Sequence, residues 1–335
     1  MTSRPSVLLT RRWPDAVEQT LATRYDLTTN PADRAMSRQA LAAALQAFDV
    51  VCPTITDRID ATMIGNGRLR TRALCNFGAG VNHIDLVACE RAGLIVTNTP
   101  DVLTDDTADL AMLLALMCAR RAGEGERLVR SGAWQGWAPT HMMGSTLSGK
   151  IMGIVGFGRI GQALARRARD GFGMTIAYAA RDPDKAPPDA FRDARAMPID
   201  QVFAQADVIS LHIPGGPDTR ELVDARRLAL MKPSAILINT ARGDVIDEDA
   251  LVAALAGRKI AAAGLDVYRG EPDIQPRLTQ LENVVLLPHL GSATAETRTA
   301  MGLRVLTNLD AIVAGKSPPD LVAATVPTTS ERPGS

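Results

Sequence analysis

Three residues carry the reactive side chains of this sequence, and each follows an apolar run. Arg242 lies in NTARGDVIDEDAL, Glu271 in GLDVYRGEP and His289 in LLPHLGS. The chain has only four histidines. Imidazole titrates near neutrality, so His289 either packs beside a turn or moves a proton. Its neighbours alone leave both readings open. A glycine cluster offers a different chemistry. Gly156, Gly158 and Gly161 form G-x-G-x-x-G after the apolar run Ile151–Val155 and open a helical pattern. That context separates a phosphate-binding turn from a bare glycine turn. Gly156 permits the tight turn, Gly158 lets a pyrophosphate approach the backbone, and Gly161 lets the helix pack on the strand. N–H groups at the helix start then hold the phosphate charge.

The elements that must position these residues alternate short apolar runs with helical patterns, the rhythm of a parallel α/β sheet. Strands are expected at 7–9, 48–52, 73–75 and 94–98, with a helix over SRQALAAALQAF. In LTDDTADLAMLLALMCARRAG, Thr104 is the expected N-cap, Asp105 and Asp106 suit the first turn, Arg120 and Arg121 the last, and Gly123 the end. A second series starts at Lys150. Its later strands are expected at 207–213, 235–240, 261–268 and 284–289, with a helix capped by Asp247 and ended by Gly257. The fold class is therefore α/β, two Rossmann-like or flavodoxin-like domains with parallel sheets. A dinucleotide-binding domain spans 101–288. A second, discontinuous domain takes 1–100 plus 289–325, closed by the helical pattern after His289. The tail 326–335 lacks apolar periodicity and is expected to be disordered. Ligands of such sheets bind at the carboxyl ends of strands, which brings Thr240, Val267 and His289 towards one crevice.

Composition excludes several classes. Of 335 residues 46% are hydrophobic and 22% charged, and Lys+Arg and Asp+Glu both number 37. Without a block of like charge, neither nucleic acid nor an anionic membrane is an expected partner. The apolar stretch Leu110–Ala119 is too short to span a bilayer, and the N-terminus has no secretory pattern. Cys52, Cys75, Cys89 and Cys118 show no C-x-x-C pairing and sit among apolar residues, as reduced thiols of a cytoplasmic protein would. His and Cys do not cluster, so no metal site is expected.

Seven ordered motifs, NFGAGVNHID, VLTDDTADLA, GIVGFGRIG, SLHIPGGPDTREL, NTARGDVIDEDAL, GLDVYRGEP and LLPHLGSAT, cover roughly residues 45–315. Together they resemble the D-isomer-specific 2-hydroxyacid dehydrogenases, and among them the glyoxylate/hydroxypyruvate reductases. The resemblance implies reduction of a small 2-oxo acid to the D-2-hydroxy acid, and it makes the discontinuous domain, 1–100 plus 289–325, the catalytic, substrate-binding one. It makes His289 the proton donor, Glu271 the group that orients the ring and favours its charged form, and Arg242 a bidentate grip on substrate. It makes the backbone of Gly78, Ala79 and Gly80 a carboxylate-binding loop, supported by His83. The cofactor surface it implies takes in Thr107, Gly156, Gly158, Arg159, Ile160, Gly161, Arg181, His212, Ile213, Pro214, Thr219, Thr240, Ala241, Arg242, Asp266, His289 and Gly291. His212 would act there through backbone and packing. A homodimer is also implied.

The cofactor preference turns on the second strand of the nucleotide fold. An acid there bonds the ribose hydroxyls of NAD. Here that position holds Ala179 and Ala180, then Arg181, whose guanidinium suits a 2′-phosphate. NADP(H) is expected to be preferred, with NAD(H) possible through Asp182. In GAWQGWAPTHMMGS (132–145), Trp137, His141 and Met142 either pack or border the substrate pocket and dimer interface. Two alternatives differ in substrate: 3-phosphoglycerate, for which no basic cluster is seen, and larger 2-oxo acids. Formate chemistry is disfavoured by the Arg/Glu/His set. An alternative of another class is a dinucleotide-sensing binding protein, against which the same set argues.

Overall fold

The structure, a computed structural model, describes residues 4–65, 67–182 and 189–322. The expected disordered tail lies outside them. The chain divides into two compact units, Met1–Leu103 with Thr294–Ser335, and Thr104–Ala293.

The first unit holds β1 (Ser6–Leu9), β2 (Asp26–Thr28), β3 (Val50–Cys52), β4 (Ala73–Cys75) and β5 (Ile95–Thr97), all parallel in the order β2-β1-β3-β4-β5. That is the flavodoxin-like order. Parallel strands need crossover helices, which cover both faces and make the inner strands apolar throughout. β1, β3 and β4 are accordingly buried along their whole length. On one face, helix Ala295–Val313 packs against helix Asp15–Arg24 with Val17, Leu21, Met301, Val305 and Leu309 in one core. A Cβ at Gly302 would stand 2.6 Å from Val17 Cγ1, so the crossing needs glycine. On the other face, helix Arg38–Ala47 contributes Leu41 and Leu45 to a second core. Its N-cap Ser37 accepts from the Ala40 N–H.

The second unit holds β6 (Ile151–Val155), β7 (Thr175–Ala179), β8 (Arg195–Ala196), β9 (Val208–Leu211), β10 (Ile236–Asn239), β11 (Ala262–Leu265) and β12 (Val284–Leu286). All pair in parallel in the order β12-β11-β10-β9-β6-β7-β8. The chain reverses its direction of sheet-building between β6 and β9, the switch point where doubly wound sheets open a crevice. Asp247 caps helix Glu248–Ala256 through the Asp249 and Ala250 N–H groups, and Gly257 ends it. Among the described residues no helix is long and apolar enough to cross a membrane.

Several expectations need correction. The helix after Leu103 begins with Thr104 in its first turn and stops at Ala119. Arg121 turns left-handed at φ 53° and starts a second helix, Ala122–Arg130, which contains Gly123. The two arginines therefore sit at a break, and Arg121 pairs with Glu124. Strands end earlier than their apolar runs, so Thr240, Val267 and His289 lie just beyond the ladder. β2 and β8 escape the sequence reading because edge strands this short and exposed carry no apolar run.

Candidate active site

The glycine turn follows β6. Gly156 sits at φ +95°, and a Cβ there would stand 2.4 Å from the His212 carbonyl oxygen. A Cβ on Gly161 would stand 2.3 Å from the Gly156 carbonyl, so helix Arg159–Arg166 can approach the strand only without one. A Cβ on Gly158, the N-cap, would meet nothing within 4 Å, and the glycine gives the helix no side-chain cap. The open backbone at an uncapped helix start, framed by two glycines that permit no side chain, fits a dinucleotide pyrophosphate. The neighbouring strand end adds the Thr240 hydroxyl and Arg242 Nε, both buried with no hydrogen-bond partner among the described residues.

Arg242 follows β10 and is held at its root. Asn239 Nδ2 donates to the Arg242 carbonyl at 2.8 Å, and Asn239 Oδ1 accepts from the Ala241 N–H at 3.0 Å. Arg242 Nη1 donates to the Ala241 carbonyl at 2.6 Å. Burial lowers the guanidinium from its ordinary pKa while Glu271 and Asp244 raise it, and the group stays charged. Gly243 then packs on the turn that carries Glu271. A Cβ there would stand 1.9 Å from the Tyr268 carbonyl carbon and 2.3 Å from the Arg269 nitrogen. The same turn is fixed by two carboxylates, Glu271 Oε1 on the Tyr268 N–H (2.9 Å) and Glu248 Oε1 on the Arg269 N–H (2.6 Å).

Glu271 Oε2 lies 2.8 Å from His289 Nδ1, and about a third of each side chain reaches solvent. Burial pushes the Glu271 carboxyl up. The bond to His289, the charge of His289, the Tyr268 N–H and Arg242 outweigh it and hold the group below its ordinary value. His289 itself sits at φ +56°. For a residue with a Cβ that conformation costs about 1–2 kcal/mol, and Asp266 supplies the bonds that hold it. The Asp266 carbonyl accepts the His289 N–H at 3.0 Å, and its carboxylate accepts from Leu290 (2.6 Å) and Gly291 (2.9 Å). Thr107 donates to the Gly291 carbonyl at 2.9 Å. Thr107, Asp266 and Gly291 thus build the turn that aims His289.

His212 follows β9, with Nε2 2.8 Å from Ser210 Oγ, and the protein packed around the ring pushes its pKa down to about 4. The segment then passes Ile213 and Pro214 to Gly215, where a Cβ would stand 3.1 Å from Arg242 Cγ. Thr219 closes the loop on the Pro214 carbonyl at 2.7 Å. Arg159 and Ile160 open the helix after Gly158. Arg181 stands exposed just past β7.

The structure therefore brings Arg242, Glu271 and His289, the glycine turn and the His212 segment to one edge of one sheet. Gly78, Ala79 and Gly80 belong to the other unit and leave the carboxyl end of β4, half-buried. There Asn76 Oδ1 lies 2.9 Å from His83 Nε2. Trp137 is 83% exposed and His141 is exposed, so neither is a core residue, while Met142 is half-buried beside Gly125.

The chain is similar to known proteins. Residues 112–291 match the family model of the D-isomer specific 2-hydroxyacid dehydrogenase NAD binding domain. The chain belongs to this family. It is 41% identical to a glyoxylate reductase of Thermococcus litoralis, over 98% of this chain and 99% of that protein. A glyoxylate reductase structure from Paecilomyes thermophila superposes with a TM-score of 0.85 at 33% identity, covering 96% and 99% of the two chains. An NADPH-dependent glyoxylate/hydroxypyruvate reductase of Sinorhizobium meliloti, in complex with NADP and malonate, does so at 0.84 and 32% identity, covering 96% and 97%. As a family member the protein is an oxidoreductase that uses a nicotinamide dinucleotide.

Sequence reading gave no role to Asn239, Gly243 and Glu248. Gly243 had a signal, since a glycine next to a reactive residue often marks a close backbone approach. Asn239 and Glu248 had none, because their partners are set by the fold.

Proposed function

We propose that this dehydrogenase reduces glyoxylate to glycolate, or hydroxypyruvate to its D-2-hydroxy acid, with NADPH favoured over NADH. The observation that carries the reading is the 2.8 Å Glu271–His289 pair, on a turn against which Gly243 seats Arg242. Glu271 accepts from Nδ1 and leaves Nε2 to face substrate. His289 Nε2 then gives its proton to the developing alkoxide and recovers it in the reverse reaction. Arg242, charged and desolvated, holds the carboxylate and carbonyl oxygen. The N–H groups of the Gly78–Gly80 loop take the carboxylate. A bound nicotinamide supplies the hydride. In this reading the unit from Thr104 to Ala293 carries the dinucleotide and the other carries the substrate loop.

The NADPH preference is supported by Arg181, exposed past β7, and by Ala179 and Ala180, which offer no acceptor to ribose hydroxyls. The protein is proposed to work as a cytoplasmic homodimer. Four free, buried cysteines favour a reducing compartment. Exposed Trp134, Trp137 and Met143 favour a covering partner copy.

The test is a steady-state panel of 2-oxo acids with NADPH and NADH. The expected result is the highest kcat/KM for glyoxylate or hydroxypyruvate with NADPH. A higher value for a bulky 2-oxo acid or for 3-phosphohydroxypyruvate overturns the substrate, and a higher value with NADH overturns the cofactor.

A further inference from the structure

We infer that Asn76 and Asn98 are positioning residues that turn the amides of the 78–81 loop towards an anion. This rests on the reading that the substrate is a carboxylate. The observation is that every carbonyl of the loop is taken by a donor of the same unit. Asn76 Nδ2 donates to Gly78 O at 2.9 Å and to Gly80 O at 3.1 Å. Asn98 Nδ2 donates to Ala79 O at 2.7 Å, and the Thr99 N–H donates to Gly78 O at 3.1 Å.

A trans peptide sets its C=O and the next residue's N–H in opposite directions. Among the described residues the only cis bond is Glu271–Pro272, so all three peptides of the loop are trans. Pinning the carbonyls of Gly78, Ala79 and Gly80 therefore points the N–H groups of Ala79, Gly80 and Val81 away from the two asparagines. Among the described residues none of these N–H groups has a hydrogen-bond partner, and the loop is half-buried. Without the pins a carbonyl could rotate outward and present a negative dipole to the anion.

The network also sets the amide and the histidine. Both Asn76 amide hydrogens are committed to carbonyls, so Oδ1 is the atom facing His83. His83 Nε2 must then carry the hydrogen. Asn76 is fully buried and is anchored by its own N–H on Thr97 O at 2.9 Å. Asn98 is half-buried, its N–H on Asp320 O at 3.3 Å. It is therefore the better position to vary.

The experiment compares the wild type with Asn98→Ala and Asn98→Asp by KM and kcat for glyoxylate, Ki for oxamate, Kd for NADPH and Tm. In Asn98→Ala, KM and Ki should rise together by about tenfold, with kcat within about threefold and NADPH affinity unchanged. Asn98→Asp should be worse, because it loses the donor and adds a charge beside the anion. Unchanged KM and Ki overturn the inference, as does a fall in kcat at constant KM. A Tm drop beyond about 10 °C in both variants also overturns it, since the amide would then hold the fold rather than the loop. If the wild type binds oxamate and the variants weaken it, but no 2-oxo acid is reduced, the reaction reading fails and the positioning role stands.

Discussion

Glu271 Oε2 and His289 Nδ1 meet at 2.8 Å although each comes from a different strand end, after β11 and after β12. The meeting depends on two tied turns. Glu271 and Glu248 hold the backbone N–H groups of Tyr268 and Arg269, and Asp266 holds those of His289, Leu290 and Gly291.

Replacing the proposed proton donor tests the pair directly. His289→Gln should lower kcat by about a hundredfold with NADPH affinity kept. Glu271→Gln should lower it by about tenfold. Near-normal turnover in His289→Gln would remove it from the reaction.

Arg242→Lys keeps the charge and loses the planar fork. KM for the 2-oxo acid should rise by at least about tenfold, because a single ammonium cannot make both bonds. An unchanged KM would mean that Arg242 does not touch substrate.

Gly243→Ala places a Cβ 1.9 Å from the Tyr268 carbonyl carbon, a contact with backbone that cannot swing aside. The turn must move, at a cost of about 1–3 kcal/mol or more. Activity should fall further than the drop in urea midpoint explains, since Arg242 and Glu271 separate. Full kcat in a folded variant would contradict the coupling of the two arms.

Arg181→Ala should reduce kcat/KM for NADPH by at least about tenfold and leave NADH nearly unchanged, as expected for loss of one charge-assisted phosphate contact. Equal losses with both cofactors would show that Arg181 serves the fold and not the 2′-phosphate.

His212 gives a pH signature in stability. Desolvation holds its folded pKa near 4, below the ordinary 6.5. Between these values the unfolded chain binds the extra proton, so the contribution falls as pH drops from about 6.5 to about 4 and is flat below. Urea midpoints for wild type and His212→Gln should show a smaller acid slope in the variant. Parallel slopes would place the titration elsewhere.

The sequence by itself determined what depends on one segment. Gly156, Gly158 and Gly161 were legible because a tight turn and an open helix start are local steric demands. The α/β class was legible because strands buried on both faces must read as unbroken apolar runs. Arg242, Glu271 and His289 could be placed at strand ends for the same reason, and a parallel sheet puts all such ends on one edge. Tertiary structure decided the rest. Arg121 breaks a helix that composition alone would continue. Asp266, expected to face the cofactor, clamps the His289 turn. Gly243, Glu248, Asn76 and Asn98 act through partners brought to them by the packing of other strands and turns. No pattern within one segment specifies such pairs, because each bond exists only when two distant pieces of chain have already been packed together.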